Sequence, residues 1–362
     1  MSNGPAHDVV EGDLTLSPRA RAALDYAATL ARTLGPAMRS VAVELRAAGL
    51  TEDVLADDFD ERIRQVEAVA RTLPAFQAAQ FAREWYGQHH GRLAIEAFEE
   101  LREQLAPLLD AALTGSTTLD ANPGQRVPDY WSDHWIHRTQ GGWDGHPYMG
   151  YIHGALVHRE LVAKIMAPAD IYAQRSAIAQ RVAALGGRRI LEMGAGNGPF
   201  TAALVEACPG AQIVACDLSL RQLEQAQRVL NARDAQVRLL RCAAEDTGLP
   251  AASFDVVTSY ALLHELPATA TEAVFREAWR VLAPGGRLLF VDVPPFERLD
   301  KLTQWQVDHA ARHEGEPFWR EAATLDVAAL LRRLGFVDVA RSSPTPGPYP
   351  FPYLTEAAKP AP

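Results

Sequence analysis

From Arg188 onward the chain alternates short β-type runs with amphipathic helical stretches, and few folds accommodate that pattern. The runs are RILEM, AQIVACD, VRLLRCA, FDVVTSYALL and RLLFVDV, and the helical stretches include LRQLEQAQRVLNAR and TEAVFREAWRVL. This alternation predicts a parallel sheet with helices on both faces. After it, DVAALLRRLGF is typical of a helix that ends at Gly335, and VDVARSS and PFPYLTEAA are expected to form an antiparallel pair.

The first half of the chain has a helical pattern instead, from residue 17 to residue 114. Ser17-Pro18 supplies a cap and a first-turn proline for one helix, and Thr51-Glu52-Asp53 is expected to begin another. Residues 115–125 have the composition of a loop. A further helical stretch is expected from about residue 154 to residue 185.

Three parts of the chain follow from these patterns. We predict a mostly helical N-terminal domain over residues 1–125, which is a candidate for dimerisation or for a cap. Residues 126–186 are predicted to form an aromatic and histidine-rich lid with a linker helix. Residues 187–362 are predicted to form a Rossmann-like α/β domain.

The charge distribution argues against nucleic acid as a partner. The net charge is −10, and residues 1–128 hold 12 arginines, no lysine and 19 acidic residues, a net charge of −7. Phosphate backbones are bound by clustered Lys and Arg, and this half offers no such cluster.

The apolar runs and the cysteines indicate the cellular location of the protein and the redox state of its thiols. No apolar run approaches the roughly 20 residues of a membrane span. The N-terminal sequence MSNGPAHDVVEGDL lacks the basic and apolar regions of a signal peptide, so a cytoplasmic protein is expected. Cys208, Cys216 and Cys242 form no C-x-x-C pair and are interpreted as buried thiols in a reducing compartment.

The most informative motif is Glu192-Met193-Gly194-Ala195-Gly196-Asn197-Gly198, which follows the first β-type run. Glycines at a strand-to-helix turn allow a sharp bend and close approach to a ligand. Asp217 ends the second run, where a carboxylate can accept hydrogen bonds from a ribose diol. The G-x-G-x-G spacing differs from the G-x-G-x-x-G of dinucleotide sites and so disfavours a dehydrogenase.

In sequence order, these blocks resemble the core of class I S-adenosylmethionine (SAM)-dependent methyltransferases, the group that includes ubiquinone-type and small-molecule enzymes. The similar blocks are ILEMGAGNG, VACDLS, CAAEDTGLPAASFDVV, LLHEL and RVLAPGGRLLFVDV, within residues 188–295. The resemblance implies a Rossmann-like methyltransferase sheet with SAM as the cofactor. We therefore expect an α/β fold preceded by a mostly helical domain.

The resemblance also implies a set of cofactor-binding residues. The glycine loop would line the methionine and ribose portions of SAM, Asp217 would hold the ribose hydroxyls, and the segment around Glu245 would meet the adenine. The full set is Glu192, Gly194, Ala195, Gly196, Gly198, Asp217, Leu218, Ala244, Glu245 and Tyr260.

His264, in LLHEL, is the candidate catalytic residue. Methyl transfer from a sulfonium requires alignment of the acceptor with the methyl group and, for a weakly acidic acceptor, removal of a proton. The position of His264 resembles that of the catalytic histidine in small-molecule O-methyltransferases. Glu265-Leu266 follows it where the family pattern has aspartate and tryptophan, so a general base and a pocket or structural residue are both open interpretations.

Residues 129–160, which we call the aromatic segment, hold three tryptophans and five histidines. Tryptophan and tyrosine combine apolar bulk with a polar group, so a substrate pocket and structural packing are both plausible. His134 and His137 lie at a spacing that suits a metal, but matching ligands are lacking and no metal is predicted. A second lid candidate is residues 294–319. The predicted substrate-binding residues are Trp135, His146, Tyr148, Tyr151, His153, Trp305 and His309.

The function favoured by these patterns is methylation of a small molecule in specialised or quinone-like metabolism, with oxygen as the first choice of acceptor atom. Nitrogen, sulfur and carbon acceptors stay open. The alternatives are a protein methyltransferase that recruits a basic partner through its acidic helical half, and a non-catalytic SAM-binding protein. A homodimer through the helical region is a further hypothesis.

Overall fold

The protein is described by a computed structural model that covers residue 10, residues 14–345 and residues 347–361. Most of the N-terminal sequence used for the signal-peptide prediction lies outside these residues. Eight strands form one sheet in the order β1-β4-β3-β2-β5-β6-β8-β7. The strands are β1 Thr118–Asp120, β2 Arg189–Met193, β3 Gln212–Asp217, β4 Val237–Arg241, β5 Phe254–Tyr260, β6 Leu282–Asp292, β7 Val337–Ser342 and β8 Tyr353–Ala358.

Helices make up the N-terminal half and flank the strands in the C-terminal half. The α-helices are α1 Pro18–Ala47, α2 Phe59–Ala70, α3 Pro74–Glu99, α4 Arg102–Ala111, α5 Asp129–Ser132, α6 Met149–Tyr151, α7 Ala163–Met166, α8 Ile171–Ala183, α9 Pro199–Ala207, α10 Leu220–Asn231, α11 Ala268–Val281, α12 Lys301–Glu314, α13 Trp319–Thr324 and α14 Val327–Arg333. No helix in the described part of the chain is both long enough and apolar enough to span a membrane.

The sheet confirms the predicted α/β architecture. β1 to β6 pair in parallel, and β8 runs antiparallel to both β6 and β7. Central strands covered on both faces require continuous apolar runs rather than alternation, and Ile190 and Leu191 of β2 are at most 1% exposed. The carboxyl ends of β2, β3 and β5 therefore meet at one edge of the sheet, where ligands bind in folds of this kind.

Two sequence predictions about local structure were wrong. Thr51-Glu52-Asp53 forms a turn, closed by hydrogen bonds from the amides of Val54 and Leu55 to Thr51 O, and α2 begins only after Asp58. Asp58 is the cap because its carboxylate accepts a hydrogen bond from the Glu61 amide at 2.8 Å.

The stretch 115–125, predicted as a loop, contains the edge strand β1. Its three residues pair in parallel with β4, and the Asn231 side chain holds the preceding Thr117 amide at 2.9 Å. A strand this short gives no periodic signal, because tertiary pairing rather than side-chain alternation fixes it.

The helical half packs against the sheet layer as well as against itself. α1 lies against α3, and Phe98 of α3 shares a buried cluster with Leu109 of α4 and Leu156. α12 returns to this half, where its Trp305 is fully buried beside Phe76.

The aromatic segment ends in a helix of unusual pitch. Residues Ile152–Val162 form a π-helix between α6 and α7. Because the hydrogen bonds of a π-helix join residues five apart, His153 and His158 lie on neighbouring turns, with ring centroids 4.4 Å apart.

Candidate functional site

A single large cavity opens at the carboxyl ends of β2, β3 and β5, beneath the aromatic segment. Its volume is about 1240 Å³ with the open solvent at its mouth included. The lining residues used below are Tyr130, His137, Trp143, His153, His158, Arg175, Glu192, Gly194, Ala195, Gly196, Asp217, Leu218, Gln222, Ala244, Glu245, Tyr260, His264 and Glu265.

The glycine loop forms the floor of this cavity. Gly194 has φ +76°, and a Cβ atom there would approach Leu262 to 2.9 Å, so the turn requires glycine. The Gly196 amide donates to Asp217 Oδ2 and the Ser219 amide donates to Oδ1, both at 2.8 Å. These bonds fix the Asp217 carboxylate at the tip of β3, and burial raises its pKa to about 6.

Polar atoms without partners gather around the same floor. Glu192 Oε2, Glu245 Oε2 and both side-chain polar atoms of Gln222 are buried and make no hydrogen bond within the described part of the chain. Unpaired buried polar groups are costly, and a ligand can satisfy them. SAM carries an ammonium, a ribose diol and an adenine amine, so the donor groups of the expected cofactor fit these acceptors. Burial raises the pKa of Glu192 to about 8.

The aromatic segment covers the end of the cavity near Glu245. The hydroxyl of Tyr130, on α5, donates to Glu245 Oε1 at 2.6 Å, and Leu218 and Ala244 line the wall beneath. Gly198 differs from the other predicted cofactor residues, because it lies behind the loop as the cap of α9 and does not line the cavity.

Arg175 is a half-buried cation at the opposite end, on α8. Its guanidinium lies 4.9 Å from the Tyr260 ring centroid and donates one hydrogen bond to Ile171 O, but it forms no ion pair with a described residue. Burial lowers its pKa. A ligand anion would offset the cost of desolvating this cation.

His264 forms a dyad with Asp292 at the end of β6. Its Nδ1 lies 2.8 Å from Asp292 Oδ1, while Asp292 Oδ2 accepts the amides of Leu262 and Leu263 at 2.9 and 2.6 Å. Burial opposes the charged imidazole, but the carboxylate of Asp292 outweighs it and raises the pKa of His264 to about 9. The bond at Nδ1 fixes the ring orientation and leaves Nε2 for the cavity.

His137 occupies a second, similar position. Its Nδ1 lies 2.7 Å from Glu316 Oε1, and its Nε2 lies 3.7 Å from Glu265 Oε1. Burial opposes the charged ring, but the charges of Glu316 and Glu265 raise its pKa well above the ordinary value.

The remaining histidines of the cavity are neutral. Burial lowers the pKa of His153 well below its ordinary range, and it lowers that of His158 to about 3. Trp143 packs edge-on against His153, with centroids 4.5 Å apart. His134 points elsewhere, toward Phe318 at 5.2 Å, so it does not join His137 at a shared ligand.

Of the seven predicted substrate residues, the structure brings only His153 to the cavity. Trp135 is 58% exposed to solvent, and Tyr151 is buried in the helical core. His146 bonds Glu99 at 2.8 Å, Tyr148 bonds Asp110 at 3.0 Å, Trp305 packs on Phe76, and His309 bonds Gln80 at 2.6 Å. Apart from the exposed Trp135, these side chains are committed to packing against the helical half instead.

The lining residues that sequence reasoning missed include Tyr130, His137, His158 and Arg175. The signal for His158 was its five-residue spacing from His153, which has meaning only on a π-helix. Arg175 gave none, because a lone arginine in a helical stretch is usually solvated.

Comparison with known proteins places this cavity in a family. Residues 190–286 match the family described as "Methyltransferase domain". The demethylmenaquinone methyltransferase of Thermus thermophilus is 36% identical over 108 residues, which cover 30% of this chain and 48% of that protein. The malonyl-[acyl-carrier protein] O-methyltransferase of Legionella pneumophila is 32% identical over 129 residues, covering 36% and 44%.

The chain spans about half the length of the curated relatives it matches. Among solved structures, the pyocyanin biosynthetic protein PhzM aligns with 20% identity and a TM-score of 0.44, covering 57% of this chain and 58% of that one. The family match covers the strands and loops that form the glycine floor of the cavity. The chain therefore contains a class I SAM-dependent methyltransferase domain, with SAM as its cofactor.

Proposed function

We propose that the protein transfers the methyl group of SAM to a small molecule in specialised metabolism, with oxygen as the acceptor atom. One observation carries the proposal: a single cavity joins the glycine floor to a histidine, His264, that is backed by a carboxylate. The named relatives act on a demethylmenaquinone and on a malonyl-carrier protein, so a quinone-like or acyl acceptor is a fitting first screen.

The cofactor contacts follow from the groups that need partners. Asp217 would accept the ribose hydroxyls, and Glu192 would accept the ammonium of the methionine portion. Arg175 would pair with its carboxylate, which supplies the anion that this half-buried guanidinium lacks. Tyr130 and Glu245 would close over the adenine.

Methyl transfer then requires alignment and removal of one proton. SAM, when bound, supplies a methyl group on a sulfonium, which is already an activated leaving group. His264 Nε2 would take the proton of the acceptor hydroxyl, and the acceptor oxygen would bond to the methyl carbon. The electron pair of the breaking carbon–sulfur bond stays on sulfur. Asp292 would hold the imidazole and stabilise its charge, as carboxylates do behind catalytic histidines.

Calorimetric titration with S-adenosylhomocysteine tests the cofactor site, with NADH as the control ligand. We expect micromolar binding of the former and none of NADH. No binding of S-adenosylhomocysteine, or a preference for NADH, would overturn the proposal.

His264→Ala tests the base. Removing a general base costs about 10²–10⁴ in rate, so we expect a large loss of turnover in an acceptor screen. S-adenosylhomocysteine affinity should change less than about twofold, because His264 lies at the acceptor end. His134→Ala, an exposed histidine of the same aromatic segment, is the control. Unchanged turnover in His264→Ala would exclude the base role.

Dimerisation through the helical half stays a hypothesis. Exposed apolar side chains on α1 and α3, Val43 at 64% and Phe81 at 75%, support it. Light scattering measures whether the protein has the mass of a dimer or of a monomer. A monomer mass would rule out the dimer.

A further inference from the structure

His137 presents one edge of its ring to the cavity. The side chain is one-third exposed, at 33%, and it lines the cavity. Its backbone has φ +55°, a left-handed conformation that few residue types adopt readily. The amide of His137 donates to Gly315 O at 3.0 Å, so this turn is fastened to the segment that follows α12.

Neighbouring rings and one carboxylate fix the imidazole in place. Trp143 packs edge-on at a centroid distance of 5.2 Å, and His153 stacks at 6.2 Å. The Nδ1 atom of His137 lies 2.7 Å from Glu316 Oε1. A side chain held this firmly is organised for a specific contact rather than for general packing.

The second ring nitrogen makes only a long ion-pair contact, with the carboxylate of Glu265. Nε2 lies 3.7 Å from Glu265 Oε1, which is too far for a hydrogen bond, and it bonds no other described residue. His264 has a similar arrangement. Its Nδ1 lies within hydrogen-bond distance of Asp292, which leaves Nε2 for the cavity that His264 lines.

We propose that His137 is a second active-site histidine, whose Nε2–H donates a hydrogen bond to an acceptor oxygen other than the one that is methylated. The acceptor class is then a compound with two oxygens, one nucleophilic hydroxyl and one hydroxyl or carbonyl near it. This inference rests on the proposed methyl transfer. The charges of Glu316 and Glu265 keep the ring protonated, which makes Nε2 a donor.

A matched pair of probes tests the inference. 4-Nitrocatechol and 4-nitrophenol differ by one hydroxyl, and calorimetry compares their affinities for the protein with and without bound S-adenosylhomocysteine. We expect the wild type to bind 4-nitrocatechol about tenfold more tightly, the usual worth of one well-placed hydrogen bond to a charged donor.

His137→Asn is the decisive variant. Asparagine tolerates the left-handed backbone, and its side-chain amide can still donate to Glu316, whereas the Nε2 donor is lost together with the ring and its charge. The preference for 4-nitrocatechol should vanish in His137→Asn and persist in the control His134→Asn. Unchanged thermal unfolding and S-adenosylhomocysteine affinity would show that the fold and the cofactor site are intact.

The outcomes separate the two proposals. Equal binding of the probes to the wild type, no binding of either, or a preference that survives in His137→Asn overturns the role of His137. Failure to bind S-adenosylhomocysteine overturns the methyl-transfer proposal instead, because the probes are also titrated without it.

Discussion

Asp292 decides the charge of His264. Three backbone amides and the imidazole all hydrogen-bond to this carboxylate, whose charge favours a protonated ring. With a pKa of about 9, only about 1% of His264 is a free base at pH 7. A base of this kind gains activity as the pH rises.

Turnover should therefore increase with pH up to about 9 and level off above it. The active form is the deprotonated ring, so the sign follows from the raised pKa of His264. Asp292→Asn removes the charge that raises the pKa of His264. The rising limb of the variant's pH–rate profile should therefore move to lower pH, and its maximal rate should fall. Turnover measured against pH for the wild type and the variant tests this prediction. A wild-type profile that rises near the ordinary histidine pKa of about 6.5 would contradict it.

Glu192 should lose a proton when the cofactor binds. Its pKa of about 8 leaves it mostly neutral at pH 7, whereas the ammonium of the methionine portion favours the carboxylate. We expect release of just under about one proton for each S-adenosylhomocysteine bound, by calorimetry in buffers of different ionisation enthalpy. Glu192→Gln should bind more weakly and release almost none. The same release from that variant would assign the proton to another group.

At the scale of elements, α5 closes the cavity over the adenine side through one bond, from Tyr130 to Glu245 at 2.6 Å. Tyr130→Phe should release S-adenosylhomocysteine about fivefold to tenfold faster, because a part-buried hydrogen bond to the Glu245 carboxyl group is lost. Stopped-flow displacement measures the rate. Tyr148→Phe, which loses a similar bond to Asp110 outside the cavity, is the control. Equal rates in the two variants would mean that α5 does not hold the ligand.

The elements also show where sequence reasoning succeeds. The apolar runs around Leu191 and Val257 predicted parallel strands, because strands buried on both faces leave a continuous pattern. The cofactor floor followed from glycine spacing and Asp217, since local backbone geometry dictates both.

The residues at the acceptor end of the cavity could not be predicted from the sequence, because long-range packing determines which side chains reach it. Trp305 and His309 lie on α12, whose buried face turns to Phe76 and Gln80 rather than to the cavity. His158 enters the cavity only because the preceding turns are π-helical. No local pattern encodes either outcome.

For the whole molecule, Arg228 joins the helical half to the sheet layer. It is 1% exposed on α10, and its Nε donates to Leu109 O at 2.9 Å. Arg228→Met leaves that carbonyl unpaired, so we expect a loss of about 2–4 kcal/mol in the free energy of unfolding. Urea denaturation measures it. Arg276→Met, on an exposed pair with Glu272, should cost less than about 0.5 kcal/mol. Equal losses of unfolding free energy in the two variants would mean that Arg228 does not join the helical half to the sheet layer.

The short strand β1 has a consequence for how this protein can be divided. Its three residues come from the connection that leaves the helical half, and they cover the outer edge of β4. A fragment that begins at residue 187 would lack this cover and leave β4 with a row of unpaired amides and carbonyls. Open strand edges recruit other chains, so we expect such a fragment to aggregate, whereas one that begins before Thr117 keeps its sheet closed on that side.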